Sequence, residues 1–141
     1  MITASTSLID VAFEVCTALA EHGFVAVLTG GSAATFYAPQ AYQSLDLDFV
    51  LTFSGVGGEK VLERLGFRRK GEFYVHRVSK IPIDFPPGPL AVGDDVITTW
   101  ATVRRGDEVL YVLTPMDSCR DRLASYLFWN DLSGLEPVSY T

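Results

Sequence analysis

The chain has 141 residues, a length that fits one compact domain with a single buried core. Its composition is 48% hydrophobic and 20% charged, which is typical of a folded protein and excludes disorder over most of its length. A net charge of -6 argues against a protein that coats nucleic acid through a generally basic surface.

Two further absences narrow the class of protein. The first residues carry no basic region followed by an apolar run, and no apolar stretch reaches the length of a membrane span. We therefore expect a cytoplasmic protein with no membrane contact. Cys16 and Cys119 have no partner at metal-ligand spacing, so both are predicted to be buried, reduced thiols.

The first half of the chain alternates helical and strand patterns. Apolar residues at steps of three and four predict an amphipathic helix over Ser7–Glu21, and His22-Gly23 ends it. The apolar run Phe24–Leu28 predicts a central strand, and the glycine pair after it opens a short helix that ends near Pro39. A second strand is predicted from about Leu45 to Phe53.

The second half is richer in strands. A helix is predicted over 59–65 and ended by Gly66, and a hairpin of 67–70 and 73–77 follows it. A strand over 81–85 leads into an irregular turn at 86–89. The rest is predicted to form a hairpin of 96–103 and 108–113 and a helix from Thr114 to about Asn130. Three or four helices with six or seven strands in mixed order predict an α+β domain around one mixed sheet. We place this domain at residues 1–132 and an irregular C-terminal tail at 133–141.

Carboxylates on two predicted strands mark a candidate site. Asp46 and Asp48 alternate with Leu45, Leu47 and Phe49, so both carboxylates should project away from the apolar core. Like charges in a partly dry site resist joint ionisation, and a divalent cation is the simplest relief. A third acid, in the sequence Ile83-Asp84-Phe85, shows the same alternation. A capping or turn role before the prolines is equally open for this third acid.

A glycine turn precedes the carboxylates. Gly30 and Gly31 lie between a buried strand and a helix, where missing β-carbons allow close approach to a ligand. The N–H groups at the start of the helix, with the Ser32 hydroxyl, suit a phosphate. A plain tight turn is the commoner meaning of such glycines when they stand alone.

One basic run interrupts the acidic chain. Arg68-Arg69-Lys70 is followed by His76, Arg77 and Lys80. Cations on a hairpin edge often block pairing with another strand, and this reading is favoured over a local contact with nucleic acid.

Together these features resemble the nucleotidyltransferase superfamily of the DNA polymerase β type. The resemblance lies in Gly30-Gly31-Ser32, in Ser44-Leu45-Asp46-Leu47-Asp48 and in Asp84. It extends to small prokaryotic members, including toxins of toxin–antitoxin pairs, through an aromatic Phe36-Tyr37 and a final helix with Thr114-Pro115-Met116-Asp117, Arg122 and Asp131. The resemblance covers the chain from about Leu8 to Asp131.

The resemblance implies a nucleotidyltransferase-like mixed sheet and a transfer reaction. Two Mg²⁺ ions, held mainly by Asp46 and Asp48, would bind a nucleoside triphosphate, and a nucleoside monophosphate would pass to a hydroxyl of a protein, RNA or small molecule. Asp84 would be the third carboxylate, at once a metal ligand and an aid to deprotonation of the acceptor. Gly30, Gly31 and Ser32 would hold the β and γ phosphates. Arg122 would neutralise the triphosphate, unless it only pairs with Asp117 or Asp121 on its own helix.

Two other functions stay open at this point. One is a catalytically inactive module of the same fold, which would bind an antitoxin or a second copy of itself through aromatic residues: Trp100, Tyr126, Phe128 and Trp129. A metal-dependent phosphodiesterase is a weaker alternative, because the two histidines, His22 and His76, fit no ligand pattern.

Overall fold

The computed structural model describes residues 1–133, except for the side chains of 128–133. Within this part, four helices and nine strands follow in the order α1 (Leu8–Glu21), β1 (Val25–Thr29), α2 (Gly30–Tyr37), β2 (Leu47–Phe53), α3 (Gly58–Leu65), β3 (Phe67–Lys70), β4 (Phe73–His76), β5 (Pro82–Asp84), β6 (Ala91–Val92), β7 (Asp95–Val96), β8 (Ala101–Arg105), β9 (Glu108–Val112) and α4 (Pro115–Ser133). The predicted α+β class is confirmed. Of the predicted tail, Ser133 is the last residue of α4, and 134–141 lie outside the described residues.

Seven strands form one mixed sheet in the order β3-β4-β5-β2-β1-β9-β8. The central strand β1 pairs antiparallel with β2 and parallel with β9, and β2 pairs parallel with β5. The two hairpins, β3–β4 and β8–β9, form the two edges, and β6 and β7 make a small separate ribbon. This order brings the ends of β1, β2 and β5 together.

The two faces of the sheet have different coverings. On the helix face, α1 packs against β1 and β9, and α3 packs against β3. The main core lies there, with Leu47, Phe49 and Ile83 fully buried. On the other face, which we call the cleft face, a smaller cluster joins β1 and β2 to the β6–β7 region through Val27, Val50, Leu90, Val92 and Leu113.

Local sequence explains where the helices begin and end. The Ser7 hydroxyl accepts a hydrogen bond from the Asp10 N–H at 3.2 Å and caps α1. The Thr114 hydroxyl accepts one from the Asp117 N–H at 3.2 Å, and Pro115 occupies the first position of α4. Gly66, with φ of 101°, ends α3 in the left-handed conformation. These three boundaries confirm the predictions.

Two predicted strands need correction. β2 begins at Leu47, so Asp46 precedes the strand, and Leu45 is 85% exposed, not in the core. The predicted strand 96–103 is divided between β7 and β8. It breaks because the Ile97 N–H bonds to the Leu90 carbonyl at 2.9 Å, away from the main sheet.

The cysteines differ from each other. Cys16 is buried in the core, and burial raises the pKa of its thiol to about 11, which leaves it protonated and unreactive. Cys119 is exposed on α4, so its predicted burial is wrong. Both are free thiols. None of the helices within residues 1–133 is long and apolar enough to cross a membrane.

Candidate functional site

Asp48 lies directly against the glycine turn. A β-carbon at Gly30 would be 2.7 Å from Asp48 Oδ2, closer than real side-chain contacts allow. Gly30 also has φ of +61°, a conformation that glycine adopts without strain. The turn therefore needs glycine for two reasons, its backbone conformation and the space taken by the carboxylate.

Asp84 lies on the strand next to Asp48. The two residues are partners in the parallel register of β2 and β5, and Asp48 is in turn the partner of Thr29 on β1. Side chains at directly paired positions share a face of the sheet. Asp48 and Asp84 thus both occupy the cleft face, as their alternation with apolar residues predicts.

Asp46 is placed differently from its prediction. It lies in the bend before β2, where the Ser44 hydroxyl donates to Asp46 Oδ1 at 3.1 Å and to the Asp46 carbonyl at 2.9 Å. The Ser44 N–H donates to the Thr35 hydroxyl, which in turn donates to the Gly31 carbonyl. Hydrogen bonds therefore connect the Asp46 bend to the glycine turn, although strand alternation does not orient this carboxylate.

Ser32 has a structural role that the sequence did not predict. Its side chain is fully buried. The hydroxyl donates to the Thr29 carbonyl at 2.8 Å and accepts from the Asp48 N–H at 3.1 Å. Its single donor is used within the protein, which favours a structural role for the hydroxyl, while its contact with a phosphate stays a prediction. Ser32 ties α2 to β1 and β2 and fixes the position of Asp48.

Arg122 reaches the same place from α4. Its Nη1 would be 3.9 Å from a β-carbon on Gly31, and its Nη2 donates to Asp121 Oδ2 at 3.1 Å. Asp117, the other predicted partner, bonds Arg120 instead. The Nε of Arg122 is buried and has no hydrogen-bond partner among the described residues. A buried donor without an acceptor costs free energy, so this guanidinium suits an anion.

The electrostatics of the site centre on Asp48. Burial raises the pKa of its carboxyl, and the charges of Asp46 and Asp84 raise it further, while Arg122 lowers it and Asp121 raises it, for a pKa of about 6. The shift indicates that Asp46 and Asp84 both lie near enough to Asp48 to act on its carboxyl. A carboxyl held in this way gains from a nearby cation.

The Asp48 side chain lines a cleft of about 260 Å³. Its polar lining is formed by Thr29, Gly30, Asp48, Asp121 and Arg122. Its apolar lining, which we call the apolar wall, is formed by Val50, Pro86, Pro87, Pro89, Leu90 and Ala91. A larger cavity of about 310 Å³ lies on the helix face and holds none of the predicted site residues. The cleft thus combines charged and apolar lining residues.

The residues fit Mg²⁺ in part. No three His, Cys, Asp or Glu side chains in the part of the chain that the structure describes form a metal cluster, so the three acids do not meet as a ready set of ligands. Asp46 precedes β2, and its carboxylate accepts a hydrogen bond from the Ser44 hydroxyl. Magnesium sites often use only one or two carboxylates and complete their coordination with substrate phosphates and water. The paired Asp48 and Asp84 meet that lower requirement.

Several residues near the cleft were not predicted as site residues. Asp121 lies beside Arg122 on α4, and the segment 86–91 forms the apolar wall. The prolines of this segment read as an irregular turn, and nothing local in the sequence shows which surface they cover. Asp131 was part of the resemblance, and its side chain lies outside the described residues.

The aromatic residues proposed as interface anchors differ in their exposure. Tyr126 is 63% exposed on α4, while Trp100 is half-buried and packs against the smaller cluster on the cleft face. The side chains of Phe128 and Trp129 lie outside the described residues.

The comparisons with known proteins add no relative. No family model, no curated protein and no solved structure matches the chain.

Proposed function

We propose that the chain is a metal-dependent nucleotidyltransferase with a nucleotidyltransferase-like sheet. It would move a nucleoside monophosphate from a nucleoside triphosphate to a hydroxyl acceptor. The observation that supports this best is the contact of Asp48 with Gly30, which joins a carboxylate with a raised pKa to a helix start that suits phosphate. Its partner Asp84 lies on the next strand.

The polar residues of the cleft suit the triphosphate. The first turn of α2 offers the N–H groups of Gly30 and Gly31, and Arg122 lies within reach of the same turn. The partial positive charge of the helix start and the guanidinium both favour an anion. Ser32 contributes by holding the turn and Asp48 in place.

The apolar wall suits the nucleoside. Three prolines and Leu90 line the same cleft as the charged residues, so one ligand could contact both kinds of side chain. This arrangement supports a ligand with one charged and one apolar end.

The reaction requires a new bond from the acceptor oxygen to the α-phosphorus and cleavage of the bond from that phosphorus to the bridging oxygen. Pyrophosphate leaves with the bonding electrons, and the hydroxyl proton passes to a base, for which Asp84 is the candidate. Mg²⁺ held by Asp48, Asp84 and Asp46 would supply charge neutralisation for the attacking and departing oxygens. A cytoplasmic location and a role as a toxin of a toxin–antitoxin pair belong to the same proposal.

Calorimetry with ATP, GTP, CTP and UTP, each with Mg²⁺ and with chelator, tests the proposal. Asp48→Asn and Asp46→Asn should each lower Mg²⁺-dependent affinity by about tenfold or more, because charged hydrogen bonds and metal contacts are lost. Asp107→Asn, in the exposed β8–β9 turn, is the control and should bind as the wild type does. The proposal fails if no triphosphate binds, or if both site variants bind normally.

An inactive binding module of the same fold is the second candidate. It is favoured by exposed apolar side chains on α4, namely Met116, Leu123, Tyr126 and Leu127. Such a module would bind none of the four nucleotides in a metal-dependent way, so the same calorimetry separates the two functions.

A further inference from the structure

The β3–β4 hairpin carries a concentrated positive charge on an acidic chain. A groove of about 260 Å³ is lined by Arg68, Lys70, Val75, His76, Arg77 and Lys80. Four of the 11 lysines and arginines of a chain with net charge -6 therefore meet at one place. Within the described part of the chain, none of these four cations forms an ion pair.

The strand register places this groove in line with the carboxylates. Lys70 is the partner of Phe73, Phe73 of Asp84, and Asp84 of Asp48. Residues paired across strands project from the same face. At about 4.8 Å between strands, the backbones of Lys70 and Asp84 are about 10 Å apart. One row thus runs across the cleft face from the carboxylates to the basic groove.

The row between them is not purely charged. Phe73 is 37% exposed between Asp84 and Lys70. Arg68 shares the same face, because its partner Val75 is two residues from Phe73. Sites for single-stranded nucleic acid combine a positive groove for the backbone with an aromatic side chain on which a base stacks. An acidic peptide would use the cations and leave the aromatic ring unused.

Hydrogen bonds from a buried histidine hold the turn beside the groove. His76 is 3% exposed, its Nδ1 accepts the N–H groups of Val78 and Ser79, and its Nε2 donates to the Leu65 carbonyl at 2.9 Å. Lys80 has φ of 66°, which non-glycine residues seldom adopt. His76 therefore acts as a scaffold that places Arg77 and Lys80 beside the groove.

Edge protection alone does not explain this placement. Arg69, on the same strand, projects to the helix face, where its guanidinium lies 5.9 Å from the centre of the Tyr74 ring. A strand that only discouraged pairing would need no groove formed jointly with the residues after β4. Lys70 differs from Arg69 in that it faces the cleft side and is aligned with Asp84 through the strand register.

We infer that the cleft face of the β3–β4 hairpin binds single-stranded nucleic acid, with phosphates in the basic groove and one end of the strand at the carboxylates. The role of that strand as the hydroxyl acceptor rests on the proposed nucleotidyl transfer, whereas its binding does not. Single-stranded nucleic acid would then be the acceptor that the proposed function left open.

Fluorescence anisotropy with labelled oligouridylate and oligothymidylate of about 12 nucleotides tests the binding. The double variant Arg68→Gln/Lys70→Gln should lower the affinity about tenfold at moderate salt and reduce the salt dependence by about two phosphate contacts. The control Arg69→Gln/Arg104→Gln removes the same charge from the helix face and from the opposite edge strand, and should change affinity less than about twofold. Comparison of the two oligonucleotides shows whether RNA or DNA binds better.

Three results would overturn the inference: no binding of either oligonucleotide, equal losses in the two double variants, or tighter binding of a polyglutamate peptide of matched charge. Binding of Mg²⁺ and nucleoside triphosphate is measured on the same variants and should be unchanged. If the groove does not bind nucleic acid, only the oligonucleotide data will show it. If the proposed function is wrong, the nucleotide binding data of Asp48→Asn will show it.

Discussion

The Asp48 carboxylate fills the space that a side chain on Gly30 would need, because a β-carbon on this glycine would be 2.7 Å from Oδ2. The start of α2 and the Asp48 carboxylate can therefore be in contact only because residue 30 has no side chain. The Ser32 hydroxyl strengthens the same contact, because it bonds both the Thr29 carbonyl and the Asp48 N–H.

Gly30→Ala should displace the Asp48 carboxylate and strain the turn. The φ of +61° costs alanine about 1 kcal/mol, and the contact adds to that cost, so we expect a loss of about 2 kcal/mol in the free energy of unfolding. Urea denaturation measures it. Gly106→Ala has nearly the same φ, +60°, and no atom within 4 Å, so it reports the backbone cost alone. Equal losses in both variants would show that Asp48 does not press on the turn.

Ser32→Ala should destabilise the protein without touching the surface. It leaves the buried Thr29 carbonyl and Asp48 N–H without this partner, at a cost of about 1 to 3 kcal/mol. Ser54→Ala, at an exposed loop position, should change the free energy of unfolding by less than about 0.5 kcal/mol. Chemical denaturation of the two variants compares them directly. A neutral Ser32→Ala would mean that water or a backbone shift replaces both bonds.

Much of the fold follows from local signals in the sequence. Thr114-Pro115 marks the start of α4, and Gly66 and Gly71 mark the end of α3 and the β3–β4 turn, because each depends on the conformation of a few neighbouring residues. The alternation of Leu47 and Phe49 with Asp48 gave the correct face for the carboxylate. Periodicity is reliable here because one face of β2 is buried in the main core.

The parts that local signals missed depend on contacts between distant segments. Asp46 follows the same alternation, yet the Ser44 hydroxyl holds it in a bend before the strand. The two bonds of Ser32 reach β1 and β2, so no pattern around Ser32 reveals that its donor is used. Cys119 is exposed because of the side of α4 on which it lies. The alignment of Lys70 with Asp84 exists only through the pairing of three strands.

Asp48→Asn should make stability depend less on pH. The folded state raises the pKa of Asp48 from 3.8 to about 6, so the folded protein holds a proton that the unfolded chain releases between these values. The contribution of Asp48 to the free energy of unfolding of the wild type is therefore greatest below about pH 4 and falls until about pH 6. Above pH 6 we expect the asparagine variant to be more stable by about 1 to 2 kcal/mol, after allowance for solvent screening of a half-buried carboxyl.

Urea denaturation at several pH values measures this difference, with Asp107→Asn as the control for removal of an exposed acid. Added Mg²⁺ and nucleoside triphosphate should stabilise the wild type above pH 6 more than they stabilise Asp48→Asn, since ligands stabilise the state that binds them. A difference in stability that is the same at every pH would contradict the raised pKa.

Arg122→Gln should weaken nucleotide binding and shift the titration of Asp48. Loss of a charged donor beside Gly31 should lower the affinity for Mg²⁺ and nucleoside triphosphate about tenfold to a hundredfold. Arg122 lowers the pKa of Asp48, so its removal should raise that pKa and move the pH dependence of stability to higher pH. Calorimetry and urea denaturation measure the two effects.

Arg120→Gln, on the same helix, is the control, because it removes an equal charge that is bonded to Asp95 and Asp117. Equal losses of affinity in both variants would show that net charge, not the position of Arg122, attracts the nucleotide.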